Sequence, residues 1–323
     1  MMSDMLTHFA SFDDCRRLAL LDATIAPEFR AVIEYGQDFA RLGTLSFGGK
    51  TWMEPILRSA RQHWAGVGRS GKYERNLAFV LGGLIHQACD GAMKPILSAA
   101  VGADWNIMQA VMQKTPDAIS RQDEQIARTQ EVSAYFDAEV FREVYLQGRA
   151  NPFNQFFMAE VSDAGRGFEA VIRAMFQRSL LSAHTLKPDT ADMEQWLDNL
   201  FERVQPYYLD VDLWVSVYQH PDPTKIEAYG VRTTFYDAND PAIRLARALQ
   251  TDQPIDIALR KAVYQDGVST CGYGEILQLG LRYLRNASAF WRGETETLVA
   301  PNYETPPEVA ARHAAQAAAQ PGA

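Results

Sequence analysis

Apolar residues recur along this chain at three- and four-residue steps, the period of helices that bury one side. Phe12, Leu18 and Leu21 form a first stripe; Phe29, Val32, Ile33 and Phe39 form a second, with Pro27 suited to its first turn. A Gly-rich connection from Gly43 to Gly49 follows, without the residue order of a phosphate loop. Ile56, Leu57 and Ala60 then open a helix that leads to His63.

From about Tyr73 to Met93 the apolar positions are nearly continuous. Leu77, Phe79, Val80, Leu81, Leu84, Ile85 and Ala88 leave little room for a solvent face, which predicts a central, buried helix. Pro95, which cannot donate a backbone hydrogen bond, is expected to end or kink it. Further helices are predicted at about 105–114, 118–147, 153–182, 190–204, 240–250, 255–264 and 272–291. Val211 to Tyr218 alternates weakly, as a short strand does, while Tyr207, Leu213, Trp214 and Val217 also fit a helical stripe. The fold class implied is all-α, a multi-helix bundle. Residues 1–297 are read as one helical domain and residues 298–323 as a Pro- and Ala-rich tail with too few large apolar side chains to pack.

Composition changes little in this picture. At 323 residues and 47% hydrophobic content the chain can bury a substantial core. A formal charge of −9 disfavours broad electrostatic binding to nucleic acid or anionic membrane. Cys15, Cys89 and Cys271 are odd in number and widely spaced, which fits reduced core thiols and neither a disulfide framework nor a Cys-rich zinc module. The first residues lack the basic start and apolar run of a leader, and no stretch is long and uncharged enough to span a bilayer, so a cytoplasmic protein is expected.

Chemistry enters with His86 and Asp90, one helical turn apart and therefore on one face. An ionised aspartate in so apolar a helix needs a partner. Either the two residues ligate one metal ion, or they hydrogen-bond each other or their neighbours inside the bundle. His8 and His63 precede the pair and can reach the same site in a bundle; His184, His220 and His313 have weaker contexts. No Gly-x-Ser-x-Gly elbow or Cys and His context points to nucleophilic catalysis.

The run Phe79-Val-Leu-Gly-Gly-Leu-Ile-His86-Gln-Ala-Cys-Asp90-Gly-Ala-Met-Lys94-Pro-Ile resembles the central metal-binding helix of the zinc-dependent phospholipase C family. Thr7-His8-Phe9 is similar to that family's opening Thr-His motif, and Asp38-Phe-Ala-Arg-Leu-Gly43-Thr-Leu to the segment before its early aspartate ligand. His63 falls where a family histidine precedes the central helix. The resemblance covers the first hundred residues and implies a helical fold, phosphodiester hydrolysis and a zinc cluster held by His8, His63, His86 and Asp90.

Three positions depart from that pattern. Ser46, Phe47 and Gly48 stand where the resemblance implies an aspartate, and Lys94 where it implies a histidine. Around Ser120 to Glu131 the expected histidine is missing, although Glu124 and Glu131 are available. A three-metal cluster is thereby reduced to one or two ions. His63, His86 and Asp90 supply the three protein ligands typical of catalytic zinc, and His8 joins through a second ion bridged by Asp90. Asp38 and Glu54 are the nearest carboxylates to replace the missing ligand or act as general base. Lys94 either replaces the charge of an absent ion, holds a substrate phosphate, or simply complements a helix C-terminus.

The first expectation is therefore a zinc-dependent hydrolase of phosphoric esters, acting on a small-molecule or lipid substrate, with Asp90, Lys94 and Asp38 in catalytic roles. The alternatives are a non-catalytic helical binding or scaffolding protein that has lost the cluster, and a helical non-haem iron protein.

Overall fold

In a computed structural model, residues 5–44, 50–68, 71–101, 119–148, 192, 195, 213–214 and 216–298 are described. Among them every regular element is helical and no strand is present, so the all-α class holds. Helices α1 (Met5–Leu21), α2 (Pro27–Tyr35), α3 (Gln37–Thr44), α4 (Lys50–Val67) and α5 (Gly71–Val101) come first. Helix α6 (Ile119–Val140) runs on into a π-helical turn at Phe141–Tyr145. Then follow α7 (Pro223–Ala228), α8 (Pro241–Gln250), α9 (Ile257–Lys261) and α10 (Gly272–Arg292). The described residues of that segment, 213–214 and 216–218, are helical and not extended. The helices expected at 105–114 and 153–182, nearly all of 190–204, and residues 299–323 of the tail lie outside the described residues.

Helix α5 is central, as its apolar content requires: it packs against α1, α2, α3, α4, α6 and α10. Leu77, Val80, Leu81, Leu84, Ile85, Ala88 and Met93 are all buried. Pro95 does not end this helix, which continues to Val101. A proline inside a helix costs about 3 kcal/mol, and the turn beyond it recovers stability by burying Ile96, Leu97 and Val101. The second apolar stripe is also interrupted where none was expected. Gly36 caps α2 through its N–H to Val32, and Phe39 sits on α3, partly exposed beneath the Arg75 guanidinium.

Two glycines set how closely α3 approaches α5. A Cβ on Gly43 would collide with the Phe79 carbonyl, and one on Gly82 with the Ala40 carbonyl. Only hydrogen at both positions lets the two backbones touch. Helix α1 is anchored by charge as well as by packing. Asp13 accepts from Arg41 of α3 and from the Tyr145 hydroxyl, while Asp14 pairs with Arg17 and Arg247 and accepts from the Tyr273 hydroxyl. Buried carboxylates survive because cations and hydroxyls meet them on several sides.

Toward the C-terminus, sequence signals and structure agree closely. Asp240 caps α8 by accepting from Ala242 and Ile243, with Pro241 in the first turn, and Gly293 closes α10 in the left-handed region at φ 81°. The core reaches one residue into the segment read as tail: Leu298 is fully buried and its N–H donates to Glu54. Cys15, Cys89 and Cys271 are buried and join no disulfide among the described residues, as expected of core thiols. Among the described residues no helix is long and apolar enough to cross a membrane.

Candidate metal centre

Because α5 is a continuous helix, His86, Asp90 and Lys94 follow one another at four-residue intervals along one face. Helix α1 brings His8 to the same place from the other end of the sequence. The His8 and His86 rings stack with centroids 4.5 Å apart and planes 26° from parallel. Asp90 lies under both: its Oδ1 is 3.5 Å from His8 Nε2 and its Oδ2 is 3.7 Å from His86 Nε2. Lys94 Nζ donates to the same Oδ2 at 2.6 Å.

Each imidazole is held by a neighbouring element. His86 Nδ1 lies 2.8 Å from the main-chain oxygen of Thr44, the last residue of α3. A carbonyl only accepts, so Nδ1 carries a hydrogen, and Nε2, the nitrogen that faces Asp90, is the one left to bind a metal when the ring is neutral. The close crossing at Gly43 and Gly82 is what carries Thr44 that near. His8 is fixed through its backbone. Asp137 of α6 accepts from the N–H of Leu6 at 3.2 Å, the N–H of Thr7 at 2.9 Å and the Thr7 hydroxyl at 2.6 Å. These are orphan amides in the first turn of α1, so a side chain from a distant helix does the work of a local cap.

Burial acts on both carboxylates, with opposite outcomes. For Asp90 desolvation alone would raise the carboxyl, but the hydrogen bond and charge of His8, with the charges of His86 and Lys94, outweigh it and hold it well below the usual range. For Asp137 desolvation prevails. Even with the bonds from Thr7 and Leu6 acting against it, the carboxyl is pushed up to about 6.

His8, His86 and Asp90 fit a metal ion by their donor chemistry. They offer two imidazole nitrogens and one carboxylate oxygen, all within 4.8 Å of one another. Ligand atoms about 2.0–2.1 Å from a tetrahedral zinc stand about 3.4 Å apart; each imidazole has its own Asp90 oxygen near that distance, Oδ1 at 3.5 Å from His8 and Oδ2 at 3.7 Å from His86, so binding through one oxygen would need a small closing of the trio.

The expected set is not reproduced whole. His63 does not join: its ring stacks on Tyr73 at 3.6 Å, thirteen residues before His86 on the same helix. That places it about 20 Å from the centre along the helix axis, at 1.5 Å per residue. The trio is completed by His8 instead, which sequence order had assigned to a second ion. Glu54 is occupied elsewhere, by Arg58 at 2.8 Å and the Leu298 amide at 3.1 Å. Glu131 is bound to Lys225 of α7 and to Tyr229, the residue that follows that helix. Asp38 belongs to α3, but its side chain, like that of Glu124, lies outside the described residues, as do Ser46, Phe47, Gly48, His184 and His313. His220 is exposed after the helical residues 216–219.

Two supporting groups were not foreseen. A main-chain carbonyl such as that of Thr44 leaves no mark in a sequence. Asp137 leaves one: it and Glu139 are acids within the largely apolar stretch Val132 to Phe141, and a buried carboxylate there demands donors.

Comparison of the chain with known protein families, curated proteins and solved structures finds no match.

Proposed function

We propose that this chain is a metal-dependent hydrolase of phosphoric esters that works with one divalent ion, held by His8, His86 and Asp90. The observation that carries the reading is the convergence of these three donors, from helices α1 and α5, within 4.8 Å. Two imidazoles and a carboxylate form a donor set that suits zinc and leaves a position for a further ligand. When bound, such an ion supplies Lewis acidity toward water and toward a phosphoryl oxygen.

The chain's own residues do the rest. Thr44 keeps His86 in the ligating tautomer, Asp137 holds the turn that carries His8, and Asp90 supplies the negative charge that draws a cation. Lys94 presents an ammonium beside them for an anionic substrate. The resemblance of the first hundred residues to the zinc-dependent phospholipase C family supports the choice of phosphoric esters, and three buried cysteines outside any disulfide support a cytoplasmic setting.

A second reading, a non-catalytic helical binding protein, is favoured by one contact. Lys94 pairs with Asp90 at 2.6 Å, so the carboxylate charge is balanced without an ion. Turnover of a chromogenic phosphoric ester by zinc-loaded protein separates the two. The hydrolase reading expects turnover that Asp90→Ala abolishes; no turnover, or equal rates in both proteins, favours the binding protein.

A further inference from the structure

Lys94 extends the face of α5 that carries His86 and Asp90. Side-chain exposure rises along that face, from 10% at His86 through 22% at Asp90 to 39% at Lys94. The ammonium is therefore the most solvent-exposed of these three groups. Its pairing with Asp90 also fixes the charge of the site. With both imidazoles neutral, as ligation requires, the negative charge of Asp90 and the positive charge of Lys94 cancel. Among the described residues Asp137 also lies near His8, buried against the amides of Leu6 and Thr7, and its charge is the same with or without Lys94.

With Lys94 cancelling Asp90, a bound divalent ion keeps both of its charges against an incoming phosphate. Without Lys94, Asp90 would cancel one of those charges. We propose that Lys94 tunes the ion-loaded site to phosphate dianions, so that phosphomonoesters and orthophosphate are its ligands in preference to singly charged phosphodiesters. The inference rests on the metal reading above and narrows it, because resemblance alone points to diesters. The physical ground is Coulombic: one unit of charge within a few ångströms of a bound phosphate changes affinity by a large factor at the dielectric of a protein surface.

Methyl phosphate and dimethyl phosphate differ in size by one methyl group and, above the second phosphate pKa near 6, in charge by one unit. Titration of zinc-loaded protein with each at mildly alkaline pH, followed by calorimetry alongside zinc content per chain, tests the proposal. Wild-type protein is expected to bind methyl phosphate at least about tenfold more tightly than dimethyl phosphate. Lys94→Arg keeps that preference, and Lys94→Gln reduces it to about twofold or less while zinc content stays unchanged. Zinc-loaded protein that binds the two equally, binds neither, or keeps its preference in Lys94→Gln overturns the inference and leaves the metal site standing. Protein that takes up no zinc overturns both.

Discussion

His86 donates from Nδ1 to the Thr44 carbonyl at 2.8 Å, and through that bond the packing of α3 on α5 decides which nitrogen faces Asp90. The crossing depends on Gly43 and Gly82, each pressed against the opposite backbone. Gly82→Ala is expected to destabilise the fold by about 1–3 kcal/mol, as overpacking does, and to weaken zinc binding by separating Thr44 from His86. Urea unfolding and a zinc titration of the variant check the two effects. Wild-type values for both would show that the contact is slack.

Asp137 ties α6 to the start of α1, and its buried carboxyl, pushed up to about 6 from an ordinary 3.8, makes that tie sensitive to pH. With the folded-state value the higher one, the native protein binds the proton more tightly. Its contribution is fully present below about pH 4 and is lost as pH rises through about 6. The difference in unfolding free energy between wild type and Asp137→Asn isolates it. Relative to the variant, wild type is expected to lose stability between pH 4 and 6, whereas a flat difference would contradict the assigned shift.

His63 stacks on Tyr73 at the far end of α5 from the centre. His63→Ala should leave zinc stoichiometry and affinity unchanged while costing stability through lost packing. Loss of zinc in this variant would restore His63 to the ligand set.

Chelation should not unfold the chain. Asp90 keeps Lys94 at 2.6 Å as a counter-charge when no ion is present, and among the described residues α5 is packed on six other helices. Far-ultraviolet circular dichroism with and without chelator is expected to superimpose, with only a modest fall in Tm from the lost ligand. Collapse of the helical signal would mark a structural metal site.

Much of the architecture is legible in the sequence because helical period, capping residues and burial agree. Asp240 with Pro241 starts α8 and Gly293 ends α10, all local signals. Pro95 misleads because its cost is local while the burial that repays it, at Ile96, Leu97 and Val101, is tertiary. The site divides in the same way. His86, Asp90 and Lys94 are joined by spacing on one helix, so the sequence shows them together. His8 and His63 both precede them and only the fold separates the two: α1 is carried to Asp90 by Asp137, whereas α4 meets α5 near Tyr73. Thr44 acts through a main-chain oxygen, which any residue supplies.

The central claim is that His8, His86 and Asp90 hold an ion. Metal analysis of protein purified without added ions tests it most directly, with His86→Ala and Asp90→Ala alongside. About one zinc per chain is expected in wild type and none in either variant, all three remaining helical. Iron in place of zinc would keep the site and change its chemistry. A folded wild-type protein that carries no metal and takes up none on dialysis would contradict the account.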